Sequence, residues 1–191
     1  MALWNLVLSG FPGSGKTLLS KRLVSDNKHF VRLSGDDMRG QLFGEMFPCR
    51  NEEIIYHAIA SLRDMSLQKG YNVIIDTTAP NNITRSFLLK SKIKSANILL
   101  VLFDVDRAVL IDRNNSRRLR NAVETWERSW ELPSTNMPVF KFINNHAQQF
   151  DLHYHMLNEI LEIEVHPYRH HFFNFLPIKT KKRGIAPSTN K

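Results

Sequence analysis

Eight consecutive residues, Gly10-Phe11-Pro12-Gly13-Ser14-Gly15-Lys16-Thr17, combine three kinds of phosphate chemistry. Glycines let the backbone wrap an anion closely, so that successive N–H groups point inward. Lys16 is a cation placed to reach β- and γ-phosphates, and the Thr17 hydroxyl is an oxygen ligand for Mg2+. The spacing satisfies G-x-x-x-x-G-K-[ST] in full. It predicts a binding loop for a nucleoside triphosphate, ATP with Mg2+.

Other groups could act on a held triphosphate. Asp36 and Asp37 follow the apolar run Phe30-Val31-Arg32-Leu33, and a carboxylate there could take the proton of an incoming hydroxyl. Tyr71-Asn72-Val73-Ile74-Ile75-Asp76 is an apolar run ending in a carboxylate that could hold Mg2+ through water or orient an acceptor. Arg113, Arg117, Arg118 and Arg120 form a cluster, with Arg113 and Arg117 four apart on one helix face. Packed guanidinia suit a phosphoryl group whose charge develops in transfer. Asp37-Met38-Arg39-Gly40 spells the D-x-x-G of GTPase switches, but no [NT]-K-x-D follows to read guanine. Asp104-Val105-Asp106 is followed by Arg107-Ala108 instead of the glycine and threonine of aspartyl phosphatases. His153, His155, His166, His170 and His171 have no cysteine beside them, and i,i+2 pairs do not face one way on a helix. They read, with Tyr168, Phe172, Phe173 and Phe175, as a basic aromatic surface able to stack on unpaired bases.

These groups need elements to carry them. Leu3, Trp4, Leu6, Val7 and Leu8 read as a buried strand before the glycine loop, and Leu18, Leu19, Leu23 and Val24 recur at helical spacing after it. A second strand at 30–33, a helix from Met38 interrupted by Gly44 to Pro48, and an amphipathic helix from Glu52 to Lys69 follow. Gly70 closes that helix, Tyr71 to Ile75 is a strand, and Pro80-Asn81-Asn82 opens another helix. Ile98 to Phe103 is a continuous apolar strand and Asp106 starts a helix. Beyond Pro133 the pattern predicts helices at Val139 to Phe150 and Leu152 to Leu161, with Ile160 to Val165 a possible last strand. Apolar strands separated by helices argue an α/β fold, a parallel sheet of four to five strands with helices on both faces and a helical lid. The expected division is one P-loop kinase domain over 1–176 and a basic tail over 177–191 carrying Lys179, Lys181, Lys182 and Arg183.

The 191 residues include 42% hydrophobic and 23% charged, ordinary for a globular domain. The net charge of +8 suggests a polyanionic partner. A lone Cys49 excludes a disulfide framework. The first apolar run ends in the glycine loop and reads as a strand, not a signal peptide, and no run approaches a membrane span. A soluble, cytoplasmic protein is expected.

The order glycine loop, Asp-Asp-x-Arg, strand–Asp-Thr and Arg-Asn-x-x-Arg resembles the 5′-kinase domain of bacteriophage polynucleotide kinase and its relatives, from about Leu3 to Trp130. Gly10 to Thr17 matches that family's loop, including Pro12, and Asp36-Asp37-Met38-Arg39 matches its Asp-Asp-Tyr-Arg. Asp76-Thr77, Phe103-Asp104-Val105 and Arg113-Asn114-Asn115-Ser116-Arg117 are similar to its later motifs. The resemblance implies a P-loop kinase acting on the 5′-OH of DNA or RNA. Asp36 would be the general base, and Arg39 would touch the nucleic-acid phosphate beside the acceptor. Asp76 and Thr77 would face the substrate, Arg113 the donor nucleotide, and Arg117 the transferred phosphoryl. Thr78 stands where the family has Asn, and Arg118 where it usually has Gly. Seryl-tRNA kinases and zeta-type toxins share most of this skeleton, which leaves a tRNA or small-molecule acceptor open. A nucleotide-binding switch without transfer is the rival of another class.

Overall fold

Apolar strands must pair to satisfy their backbone, and strands separated by helices can do so side by side in parallel. The computed structural model describes residues 2–44, 51–119 and 121–162. In chain order it forms β1 (Trp4–Ser9), α1 (Lys16–Asp26), β2 (Phe30–Ser34), α2 (Gly35–Phe43), α3 (Glu52–Gln68) and β3 (Asn72–Asp76). There follow α4 (Asn82–Leu89), β4 (Asn97–Asp104), α5 (Arg107–Ser116), α6 (Ala122–Glu127), β5 (Val139–Ile143) and α7 (Ala147–Ile160). All pairings are parallel, in the order β2-β3-β1-β4-β5. β1 is central, with Leu6 opposite Ile74 on one side and Leu99 on the other.

The pleat splits the core in two. Leu6 and Leu8 join Leu19 and Leu23 of α1 and Phe150, Tyr154 and Leu157 of α7, whereas Val7 joins Ile55 and Ile59 of α3 and Leu88 of α4. Both faces of the sheet are therefore dry, as its unbroken apolar strands require. Side-chain oxygens cap the helices: Asn51 accepts from Ile54 N at 3.2 Å and Asn81 from Thr84 N at 2.9 Å. Gly70, at φ 84°, follows α3 as the sequence pattern expects.

Three expectations are corrected. The helix expected from Val139 to Phe150 is instead β5, then a turn, then α7 beginning at Ala147. Val-Phe-Lys-Phe-Ile alternates outward and inward with period two, and Phe140 and Phe142 enter the core. The alternative last strand at Ile160 begins instead as the final residue of α7. Likewise α2 begins at Gly35 and not at Met38, because the Ser34 hydroxyl accepts the Asp37 N–H at 3.2 Å and caps it. The tail over 177–191, Cys49, Arg120, His166, His170 and His171 lie outside the described residues. Among the described residues, no helix is long and apolar enough to cross a membrane.

Candidate active site

β1 delivers the chain to the glycine loop at the carboxyl end of the sheet, and α1 leaves from it. Gly13 and Gly15 hold φ of 83° and 102°, where a side chain is strained. Space forbids one as well: a Cβ on Gly13 would meet Asn114 Nδ2 at 2.9 Å, and one on Gly15 would run into Asn144 Nδ2. Those amides bond the loop from behind. Asn114 donates to the Pro12 carbonyl and Asn144 to the Ser14 carbonyl, each at 2.8 Å, and Arg113 Nη1 donates to the Gly13 carbonyl at 3.3 Å.

Lys16 is buried, and its Nζ donates to the carbonyls of Gly10 and Phe11 at 2.8 and 2.9 Å. Burial pushes its pKa from 10.5 down to about 8; Asp76 and Asp36 pull it back up, and Arg117 adds to the fall. Three other residues singled out in the sequence are thus close enough to act on the charge of Lys16. Thr17 lies exposed in the first turn of α1.

Asp36 stands in the first turn of α2, two residues past the end of β2, where the sequence had it closing the strand. Its carboxyl is held above the ordinary range. Loss of water is the largest cause; Arg39 opposes it, and repulsion from Asp76 adds to it. Arg39, expected at an acceptor phosphate, is buried beneath Asp36. Its Nη1 donates to Asp36 Oδ1 at 2.6 Å, and its Nε and Nη2 grip both oxygens of Glu52 at 2.9 and 2.8 Å. Spacing of i,i+3 in a helix brings the guanidinium back onto Asp36.

Asp76, at the end of β3, is buried. Its Oδ2 accepts from Ser20 Oγ at 3.0 Å and from Arg32 Nη2 at 2.6 Å. Arg32 also pairs with Asp37. Thr77 is buried next in line. The Thr17 hydroxyl and the Asp76 carboxylate are hard oxygen donors, the set that suits Mg2+ completed by phosphates and water. Among the described residues no group of three or more His, Cys, Asp or Glu is placed to hold a metal by itself.

Arg117 follows α5 as its C-cap, exposed. The helix ends in paired bonds, Arg118 N to Asn115 O and Leu119 N to Asn114 O, both at 2.9 Å. That pattern puts Arg118 where a left-handed residue belongs, and its φ is 60°. Glycine is the residue that such a position favours, and glycine is what the resembled family has there.

The Phe11 ring of the glycine loop stacks on Trp130, centroids 4.4 Å apart, and the Arg85 guanidinium lies 5.0 Å from the Trp130 ring. Fully buried, Arg85 donates to the carbonyls of Ala79, Pro80 and Glu131 at 2.9, 2.9 and 2.7 Å. The chain after α6 is thereby tied to the glycine loop and to the turn after β3.

Sequence reasoning missed Arg32, Arg85 and Asn144, and gave Asn114 no role. Asn144 was hidden by the helix expected there; the period-two run before it was the available signal. Arg32 sits on an intermediate strand position and Arg85 on a helix, where arginine is ordinarily solvated, so nothing in the sequence marks either.

A family model described as an AAA domain (AAA_33) matches residues 6–132. No curated protein matches. Among solved structures, an unliganded sugar kinase from Janibacter sp. HTCC2649 is similar at 14% identity, TM-score 0.68, over 84% of this chain and 95% of that one. The Mycobacterium tuberculosis APS kinase CysC, solved with AMPPNP and APS, is similar at 15% identity, TM-score 0.62, over 85% and 99%. A Pnkp1/Rnl/Hen1 complex is similar at 28% identity and TM-score 0.52, over 56% of this chain and 38% of that one. The fold is that of the P-loop kinase-like proteins.

Proposed function

We propose that this chain, which belongs to the AAA domain family, is a kinase that moves the γ-phosphate of ATP to a hydroxyl, most simply the 5′-OH of DNA or RNA. One observation carries the reading: Asp36 stands near enough to Lys16 to shift its ionisation, and its own carboxyl is held toward the pH at which a base works. A nucleotide switch has no use for an acceptor base beside its phosphate lysine. The polynucleotide acceptor rests on the Asp-Asp-x-Arg order, the net charge of +8 and the 28% identity to the Pnkp1 complex.

In the transfer, Asp36 takes the proton of the acceptor hydroxyl as that oxygen bonds the γ-phosphorus, and the bond from the γ-phosphorus to the β-phosphate oxygen breaks to release ADP. Lys16, within the loop, and Arg117, beside it, meet the charge on the moving phosphoryl. Arg113, whose guanidinium bonds the Gly13 and Asn145 carbonyls, is assigned to the donor nucleotide by the family resemblance. Arg39 holds Asp36 in place, with Glu52 behind it. Thr17 and Asp76 would hold Mg2+, which supplies charge neutralisation on the phosphates when bound. Most of the catalysis is positioning and electrostatics, because the transition state is loose.

The test is transfer from γ-labelled ATP to 5′-OH oligonucleotides, tRNA, nucleosides and nucleotide sugars, with Lys16→Ala as control. The expected result is label on the oligonucleotide, and none from a Lys16→Ala protein that still melts cooperatively. Label on another acceptor in preference overturns the polynucleotide reading alone. ATP binding without transfer to any acceptor leaves a switch.

A further inference from the structure

The glycine loop is gripped from behind by two buried side chains to which neither the family resemblance nor the transfer chemistry gives a task. We propose that Asn114 and Asn144 are positioning residues for the phosphate donor, holding the Pro12 and Ser14 carbonyls outward so that the Gly13 and Gly15 N–H groups turn toward the phosphates. The inference rests on the reading of this loop as a triphosphate site.

A trans peptide places its C=O and the following N–H on opposite sides. Fixing the Pro12 carbonyl therefore aims the Gly13 N–H, and fixing the Ser14 carbonyl aims the Gly15 N–H. Asn114 reaches the first from α5 and Asn144 reaches the second from the end of β5, both at 2.8 Å. Both amides are almost wholly buried, at 2% and 5% exposure, so no water competes for these bonds. The loop is built around them, since a Cβ at Gly13 or Gly15 would strike the donating nitrogen.

Asn114 supplies an independent argument. Its second N–H donates to the Leu110 carbonyl at 2.9 Å, which fixes the amide's orientation. Its Oδ1 is buried and has no partner among the described residues. An orphaned acceptor costs stability, and an apolar side chain of the same shape would avoid the loss. The amide is kept for what its donor does to the loop.

Two variants test this, with ATP as the probe. Asn114→Leu keeps the shape, removes the donor and removes the orphan oxygen. The Pro12 carbonyl then loses its donor as the orphan oxygen goes, two effects of opposite sign. Melting temperature should therefore stay within a few degrees of wild type while the Kd and KM for ATP rise about tenfold or more and the KM for the acceptor stays put. Asn144→Asp replaces a donor with a carboxylate facing a carbonyl. Its ATP affinity should be poor at neutral pH and recover on acidification, when the carboxylic acid can donate again, whereas wild type shows no such recovery. Should Asn144→Asp fail to fold, Asn114→Leu decides. ATP affinity within twofold of wild type in the folded variants overturns the proposal. So does an affinity loss that merely tracks a lower melting temperature, without recovery in acid. A wild-type chain that does not bind ATP fails earlier, and brings down the triphosphate reading itself.

Discussion

Two opposing demands meet at Asp36. A base must be ionised to take a proton, yet the same loss of water that makes it effective favours its neutral form. Arg39 is the counterweight, since its cation favours the carboxylate. Asp36→Asn should lower kcat by at least about a hundredfold with little change in ATP affinity at neutral pH. An equal loss in Asp37→Asn, whose carboxylate pairs with Arg32, would move the base by one residue. Arg39→Ala removes the counterweight, so the pKa of Asp36 climbs further and the acid limb of kcat/KM shifts to higher pH; an unmoved limb would separate the two residues. Lys16 sets the other side of the profile. In the free protein it loses its proton near pH 8, and a bound triphosphate raises that value. ATP affinity should thus be full below about pH 8 and fall as pH rises through it. Calorimetry in buffers of different ionisation heat should register proton uptake on binding above that point, and none would contradict the buried cation.

At the scale of elements, the end of α5 is a compromise. Arg118 occupies the left-handed position of a glycine-type helix stop, at a cost of about 1 kcal/mol. Arg118→Gly should raise stability by roughly that much in denaturant melts, reduced somewhat by glycine's freedom in the unfolded chain. A drop would mean that the side chain makes contacts worth more than the strain. This departure was legible only through the family resemblance, in which glycine usually follows the lid arginine. Spacing alone put Arg113 and Arg117 on one helix face, whereas α5 ends at Ser116 and Arg117 is its C-cap. The glycine loop, the central strand and the strand-end Asp76 were legible too, each being a local run of distinctive type. The second asparagine of the loop was not. Asn144 lies 130 residues from the carbonyl it holds, and only the closing of the sheet brings them together. Arg32 and Arg85 were hidden in part for the same reason: Asp76 lies 44 residues from Arg32 and the Glu131 carbonyl 46 from Arg85. Their nearer partners, Asp37 and the Ala79 and Pro80 carbonyls, carry no pattern that marks them.

For the whole molecule, 26 basic residues against 18 acidic ones give a surface that a small uncharged acceptor would not require. A single strand brings a phosphate at every nucleotide and releases counterions at each contact. KM for a 5′-OH oligonucleotide should therefore rise steeply from about 50 to about 200 mM salt, and transfer to it should exceed transfer to a nucleoside at low salt. A flat salt response would argue for a small acceptor.

The sheet order has a consequence in time. β1 is in the middle of the sheet and precedes both of its neighbours, which begin 68 and 93 residues later, Asn5 pairing with Val73 and Trp4 with Asn97. At about 5–20 residues per second, a ribosome holds Leu6, Val7 and Leu8 without either partner for several seconds. Three residues that end wholly buried must wait in water, next to a loop whose Ser14 carbonyl has no donor until Asn144 is made. Nascent chains stalled before β4 emerges should stay protease-sensitive and generate no folding force on an arrest peptide. The delay makes β1 the strand whose burial depends wholly on chain made after it.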